Sequence, residues 1–367
     1  MKRFEKFTKR SGGINLARVG VGLDIGTSSI KIVELEAGNP IRLNHFGRMP
    51  LPEGALAGGV VKDSAAVSGA IKDGFAALGI RHKRVQVAIA GQAVVVRNIK
   101  IPLMEAAEVQ NALHWEAERY IPFPVDECTM DFIIIDRDEA QQELEVMLVC
   151  AHKNIIDSHL EVLRQAGLQP LAIDIQPFAL SRALGLEDTE RNDRNVAVLD
   201  IGAGTADLAI FRSGLSRFTR ILPPGANGFT ENIMKVMGSR FAEAEQFKMK
   251  YTDAMLDLNT VAPKSPEYQV NFAVQGALRE LVAELIRSVD YFQLQQREAH
   301  LEQLILCGGG AKITNLIPFL QQELGIKVAV SLNDRPFECG KQSLAEFETI
   351  KPIMLVALGL ALREVTD

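Results

Sequence analysis

Apolar residues run through Val19–Leu23, break at Asp24-Ile25-Gly26-Thr27-Ser28-Ser29, and resume from Ile30 to Leu35, which predicts strand, turn, strand. "AAVSGAIKDGFAAL" (65–78) carries helical spacing and meets a stop at Gly79. The alternating run "RVQVAIAGQAVVVRNIKI" (84–101) predicts a hairpin-like strand pair. A helix is expected over 105–121, ended by Pro122 and Pro124 because proline cannot donate to the preceding turn. Two strands at 131–136 and 144–151 and a helix over 154–167 with Gly167 as its stop complete a block, 85–168, that reads as a small α/β insertion.

The second half repeats the opening pattern. "AVLDIGAGTADLAIF" (197–211) nearly copies "GLDIGTSSIKIVEL" (22–35), again an apolar strand running into Asp-Ile-Gly and small residues. Before it, "LAIDIQPFALSRAL" (171–184) passes from strand to helix; after it, two helical runs flank Gly238. Residues 252–268 read as a loop, and Leu278, Leu281, Val282, Leu285, Ile286, Val289 and Phe292 fall at helical spacing on one face. "LILCGGGAKITNL" (304–316) reads as strand, glycine turn and helix. Strands alternating with helices in both halves indicate α/β layers.

A strand ending in Asp-x-Gly places a carboxylate at the strand tip, and the amides of the small residues that follow converge on one point suited to a phosphate. Two such turns facing each other would hold a triphosphate between two domains, with Asp24 and Asp200 near its Mg²⁺ ion. The Gly308-Gly309-Gly310 turn is either a tight strand-to-helix turn or a close backbone approach to a base or ribose. Neither GxGxxG nor a Walker A sequence is present.

A length of 367 residues with 47% hydrophobic content allows two domains. The formal charge of −6 argues against a nucleic-acid partner, which needs clustered cations. The exception is the first 18 residues, where Lys2, Arg3, Lys6, Lys9, Arg10 and Arg18 stand against Glu5, with Phe4 and Phe7 among them; this segment reads either as a solvated tail or as a contact for an anionic membrane or partner. The four cysteines form no CxxC pair and the six histidines show no HxxxH or HExxH spacing, so neither a disulfide framework nor a histidine metal site is expected. No apolar run reaches the roughly 18 residues that span a bilayer.

With the two turns, the connecting helix and the glycine turn in this order, the chain resembles the actin, Hsp70 and sugar-kinase superfamily. "GLDIGTSSIKIVEL", "YIPFPVDECTMDF", "AGLQPLAIDIQPFAL", "LILCGGGAKITNL" and "VALGLALR" are similar to the PilM family of type IV pilus assembly proteins, itself similar to the cell-division adaptor FtsA, over about 19–364. The resemblance implies an α/β, actin-like ATPase fold: two lobes with duplicated ribonuclease-H-like cores and an FtsA/PilM-type inserted subdomain. The divisions it suggests are a basic segment (1–18), first-lobe core (19–84 and 169–194), insertion (85–168), second-lobe core (195–230 and 300–345), a helical subdomain (231–299) and a C-terminal helix returning to the first lobe (346–367).

Residue by residue, the resemblance implies ATP with Mg²⁺ as ligands. Asp24 and Asp200 would act on the Mg²⁺ shell through water; Gly26, Thr27 and Ser28 would meet the phosphates, and Lys31 the β-phosphate. Asp200 with Gly202, Gly204 and Thr205 would form the second phosphate turn. Glu245 and Lys248 would contact the ribose, and Gly308, Gly309 and Gly310 would pass under adenine. Gln176 would position water; an amide cannot take a proton, so slow or no hydrolysis is expected. Gly225 is followed by Ala226 where relatives carry a second glycine, which predicts a looser phosphate approach there. On spacing alone, Lys31 reads equally as a surface lysine, Gln176 as a packing residue and Glu245–Lys248 as a solvated helical pair. The implied partners are the cytoplasmic N-terminal tail of PilN, the pilus motor ATPases and the inner-membrane platform proteins, with membrane contact peripheral and through those partners at the cytoplasmic face. A sugar or metabolite kinase and a filament-forming, FtsA-like adaptor are the competing functions.

Overall fold

The computed structural model describes residues 18–187, 194–295, 300–330, 335–340 and 342–366. The basic segment expected over 1–18 lies, except for Arg18, outside the described residues. The chain opens with β1 (Val19–Ile25), β2 (Ser29–Glu36) and β3 (Ile41–Pro50), an antiparallel meander in which Asp24 sits opposite Lys31. Two short strands, β4 (Leu56–Ala57) and β5 (Val60–Val61), lead to α1 (Ser64–Leu78). Asp63 accepts from the Ala66 amide to start that helix, and Gly79, at φ 69°, ends it.

β6 (Arg84–Ile89) does not pair with β7 (Val94–Pro102) as the alternation predicts. β6 is buried from Val85 to Ile89 and lies parallel to β1, whereas β7 turns out to another sheet through Gly91 at φ 105°. Alternation records that each strand has two faces and carries no information about its neighbour. After α2 (Ala106–Glu116), the strands β8 (Cys128–Asp138) and β9 (Glu143–His152) pair with β7 in the order β7-β9-β8. The insertion is therefore narrower than 85–168: β6 belongs to the first large sheet, and α3 (Lys153–Gln165) packs Val162 and Leu163 into that sheet's core.

The chain returns through β10 (Gln169–Ile175), parallel to β6, into α4 (Gln176–Ala183). The second lobe then repeats the first: β11 (Asn195–Ile201), β12 (Ala206–Arg212) and β13 (Leu215–Leu222) form an antiparallel meander. Three helices follow, α5 (Ala226–Met237), α6 (Phe241–Tyr251) and α7 (Pro266–Gln295); α7 starts well ahead of the apolar stripe that predicted it. β14 (Leu301–Cys307) joins parallel to β11, and after α8 (Leu316–Leu324) the strand β15 (Lys327–Val330) joins parallel to β14. The second sheet runs β13-β12-β11-β14-β15, and the first runs β3-β2-β1-β6-β10 with the same directions. One further strand, β16 (Phe337–Cys339), pairs with β3 at the edge of the first sheet, so the assignment of all of 300–345 to the second lobe fails at these residues.

α9 (Leu344–Thr366) lies against β1 and crosses α4, and the core around it draws Val33 and Leu35 from the first sheet and Val196, Val198 and Ile305 from the second. Its approach is close to backbone contact. A methyl group on Gly22 would fall 2.0 Å from the Ala357 carbonyl oxygen, and one on Gly359 would fall 1.8 Å from the Ala179 carbonyl oxygen. Gly359→Ala is expected to cost about 3 kcal/mol, since the atom it meets is main chain and cannot rotate away. Gly276→Ala, in α7 with open space around it, should instead stabilise by about 1 kcal/mol through helix propensity. Denaturant melts of the two variants check both signs.

Candidate functional site

The first turn closes with the Gly26 amide donating to the Ser29 carbonyl at 3.1 Å. Lys31, mostly buried, donates to Asp24 Oδ2 at 2.9 Å. A methyl group at Gly26 would lie 2.6 Å from Lys31 Nζ, so the glycine makes room for the ammonium group over the turn. Thr27 and exposed Ser28 form its tip.

The second turn lies directly against the first: a methyl group at Gly204 would fall 2.6 Å from Thr27 Oγ1. Gly202 and Thr205 flank Gly204, and Thr205 Oγ1 donates to Asp207 Oδ2 at 2.6 Å. Asp200 is buried and accepts from Gln176 Nε2 at 2.5 Å, so the amide at the start of α4 ties the first lobe to the second turn.

Asp207 was not foreseen from the sequence. It sits opposite Asp200 in the β11–β12 register, as Lys31 sits opposite Asp24 in β1–β2. The separation from Asp200 to Asp207 equals that from Asp24 to Lys31, and superposing the two motifs in the sequence would have shown the carboxylate standing where the first copy has a cation. Burial, then the Asp207 charge, pushes Asp200 up to about 7, against Lys31; the Asp24 charge adds to the rise and the Gln176 amide opposes it. Burial also pushes Asp207 up to about 6, against the Thr205 hydrogen bond. Two facing carboxyls out of water resist double ionisation and titrate as a pair.

The glycine turn and α5 brace this second turn. Gly308 has φ 79°, and a methyl group on it would lie 2.2 Å from Asp200 Oδ1; one on Gly310 would lie 2.2 Å from Ile201 Cγ2, while Gly309 faces open space. Gly225 packs on the Gly204–Thr205 peptide, where a methyl group would fall 2.5 Å from Thr205 N. The amides of Ala226 and Asn227 donate to the Gly202 and Ala203 carbonyls at 2.9 and 2.8 Å. The start of α5 is thus hydrogen-bonded to the second turn at the place where Ala226 follows Gly225. Glu245 and Lys248 are not a solvated pair: Lys248 Nζ donates to Ala226 O at 3.0 Å and Thr230 Oγ1 at 2.8 Å, and Glu245 accepts from Thr230 at 2.7 Å.

Beside the turns, a cleft of about 470 Å³ opens between the insertion and the second sheet, with Val96 and Tyr120 on one wall, Arg220 on the other, and Gln176, Leu180 and Asp207 also lining it. Phe123 instead packs on the insertion's own core.

The type IV pilus assembly protein PilM family model matches residues 22–365. The chain belongs to the PilM family. It is 33% identical to a chain of a solved "PilM-PilN type IV pilus biogenesis complex", covering 94% of this chain and 98% of that one with a TM-score of 0.83. FtsA of Neisseria meningitidis is 24% identical over 343 residues, covering 83% of this chain and 82% of that protein, and FtsA of Bacillus subtilis is 26% identical over 351 residues, covering 85% and 78%. MreB 5 of Spiroplasma citri, solved bound to AMPPNP, shares the fold at a TM-score of 0.55 and 14% identity, covering 95% of this chain and 96% of that one. The fold of this PilM-family chain is that of the actin-like ATPases.

The donor set suits a magnesium-bound polyphosphate: two turns of small residues, one ammonium group and three carboxylates between them. Among the described residues no cluster of three His, Cys, Asp or Glu side chains is arranged to hold a metal ion alone. Mg²⁺ here would accordingly keep waters and phosphate oxygens in its shell.

The Asp200–Asp207 pair sets a pH dependence. A carboxyl raised on folding stabilises the fold at low pH and loses that contribution as pH rises through the folded value. Stability of the ligand-free protein from this pair should fall between about pH 4 and 7. Asp207→Asn should therefore raise Tm relative to the parent at pH 8 and much less at pH 5, read by thermal melts at the two values.

Proposed function

We propose that this PilM-family protein is a nucleotide-binding scaffold of type IV pilus assembly, taking Mg-ATP between its two turns and docking the cytoplasmic N-terminal tail of a PilN partner. The observation that carries the reading is the likeness to the chain solved in a PilM-PilN complex, at 33% identity over nearly the whole length. In this reading Asp24, Asp200 and Lys31 act on the Mg²⁺-phosphate group, the turn amides on the phosphates, Glu245 and Lys248 on the ribose side, and the Gly308–Gly310 turn beside the base. Gln176 holds Asp200 through its amide and orients water without accepting a proton, which supports binding with slow turnover.

The tail lies in the cleft beside the insertion, an extended segment with apolar contacts along Val96, Tyr120 and Leu180. Through that partner the protein is held at the cytoplasmic face of the inner membrane, next to the platform proteins and the motor ATPases. No helix among the described residues is long and apolar enough to cross a membrane. Because Gln176 and Asp207 line the cleft and also hold the second turn, nucleotide and tail affinities are linked, and linkage runs equally in both directions.

Calorimetry with a PilN tail peptide from the same cell should give micromolar or tighter binding, shifted about fivefold or more by Mg-ATP. Tyr120→Ala should weaken the peptide and leave nucleotide binding unchanged, whereas Asp24→Ala should abolish Mg-ATP binding and leave the protein folded. No peptide binding with or without nucleotide would remove the scaffold reading and turn the next assay to sugar phosphorylation. Turnover near 1 per second or faster would refute slow hydrolysis.

A further inference from the structure

The first lobe carries a cationic corner far from the turns. From the loop after α1 into the first residue of β6 the chain reads Arg81-His82-Lys83-Arg84, four consecutive exposed residues in a protein of formal charge −6. The loop that bears them is pinned. His82 Nδ1 is 2.8 Å from Oε1 of Glu34, which is buried, and the Lys83 carbonyl accepts from the Gln169 amide at 2.8 Å. His82 stays exposed while its contact with Glu34 braces the loop, so the three cationic side chains around it are presented on a tethered backbone.

Below them is a pocket of about 280 Å³ with an apolar floor of Ile71, Phe75, Ile80 and Leu168. Lys72, Arg81 and Lys83 line it, and its lining contains no carboxylate. Lys83 Nζ stands 5.9 Å above the Phe75 ring, a stem laid over the apolar floor with its charge at the rim. Complementing the helix dipole does not account for the cluster, because the last turn of α1 itself carries no basic residue.

Topology aims this corner away from the turns. β1 and β6 run parallel with Asp24 beside Ala88, so Arg84 lies four residues back along the strand, about 13 Å from the first turn. β1 begins at that same end of the sheet, immediately after exposed Arg18, and the sequence ahead of Arg18 adds Lys2, Arg3, Lys6, Lys9 and Arg10 with Phe4 and Phe7.

We propose that the corner built by Lys72, Arg81, Lys83 and Arg84 docks directly on an anionic bilayer surface, the lipid headgroups meeting the cations and the apolar floor taking a headgroup-level carbon contact. A corner of like charge at the rim of an apolar pocket complements a broad anionic plane, and basic residues near such a surface add their attractions. The contact is independent of the tail docked in the cleft, and it leaves the turns and the cleft facing solution.

The test is flotation of the full chain with phosphatidylcholine vesicles and with vesicles holding about one third phosphatidylglycerol. Binding is expected only to the anionic vesicles, lost near 0.5 M salt, where the screening length is roughly 4 Å. The quadruple change Lys72→Glu, Arg81→Glu, Lys83→Glu, Arg84→Glu should weaken it tenfold or more, and the milder pair Arg81→Gln, Lys83→Gln, which leaves the His82–Glu34 contact in place, should give an intermediate loss. Glutamine at Lys2, Arg3, Lys6, Lys9 and Arg10 should leave corner-dependent binding in place. Equal binding to neutral vesicles overturns the proposal. So does full binding by the milder pair, and so does a wild-type protein that ignores anionic vesicles but captures a polyglutamate peptide, which would make the corner a protein-docking site.

Discussion

The crossing of α4 and α9 is the constraint on which the rest of the molecule depends. With Gly359 against the Ala179 carbonyl, the two helices meet main chain to main chain, and each lies between the two sheets. Arg182 reinforces the crossing by donating to the Gly359 carbonyl at 3.0 Å while pairing with buried Asp174, which Arg363 of α9 also reaches at 3.3 Å. An ion cluster out of water favours one geometry, since separating its members leaves a charge unpaired. Gln176 is the first residue of α4, so the same crossing sets where its amide meets Asp200.

The two halves share a backbone plan and differ in charge. Across the first turn a carboxylate faces an ammonium group; across the second, a carboxylate faces a carboxylate. Without a ligand the second pair is held by the Gln176 and Thr205 hydrogen bonds, while burial raises both carboxyls. A divalent cation would supply the missing positive charge, which is the physical reason for proposing that nucleotide arrives as its metal complex.

The insertion does more than decorate the first lobe. Asn98 on β7 donates to the Ser216 carbonyl at 3.3 Å, and Arg217 on β13 pairs with Glu145 on β9 at 3.3 Å. It therefore touches both lobes and closes one side of the cleft whose lining includes Gln176 and Asp207. Under the proposed function, a segment bound there and a nucleotide bound at the turns would press on the same two side chains, so the coupling would need no long relay.

The sequence by itself determined the duplicated strand-turn-strand units, most helix ends and the residue types at the turns, because these depend on local steric and periodic constraints: Gly79 and Gly238 adopt the left-handed caps their positions announce. The family was legible in motif order for the same reason. Only the tertiary structure decided partners across distance. The alternation over 84–101 cannot say that β6 joins β1 while β7 joins β9, and nothing local in Phe337–Cys339 says that this strand crosses back to β3. At the site, spacing alone left Lys31 open to a surface reading and made Lys248 half of a solvated pair with Glu245; folding sets them against Asp24 and the start of α5. The facing of Asp200 and Asp207 is local to the β11–β12 turn and stood in the motif itself, whereas the meeting of Thr27 with Gly204 follows from how two sheets pack around α4 and α9, a long-range arrangement no short stretch of chain encodes.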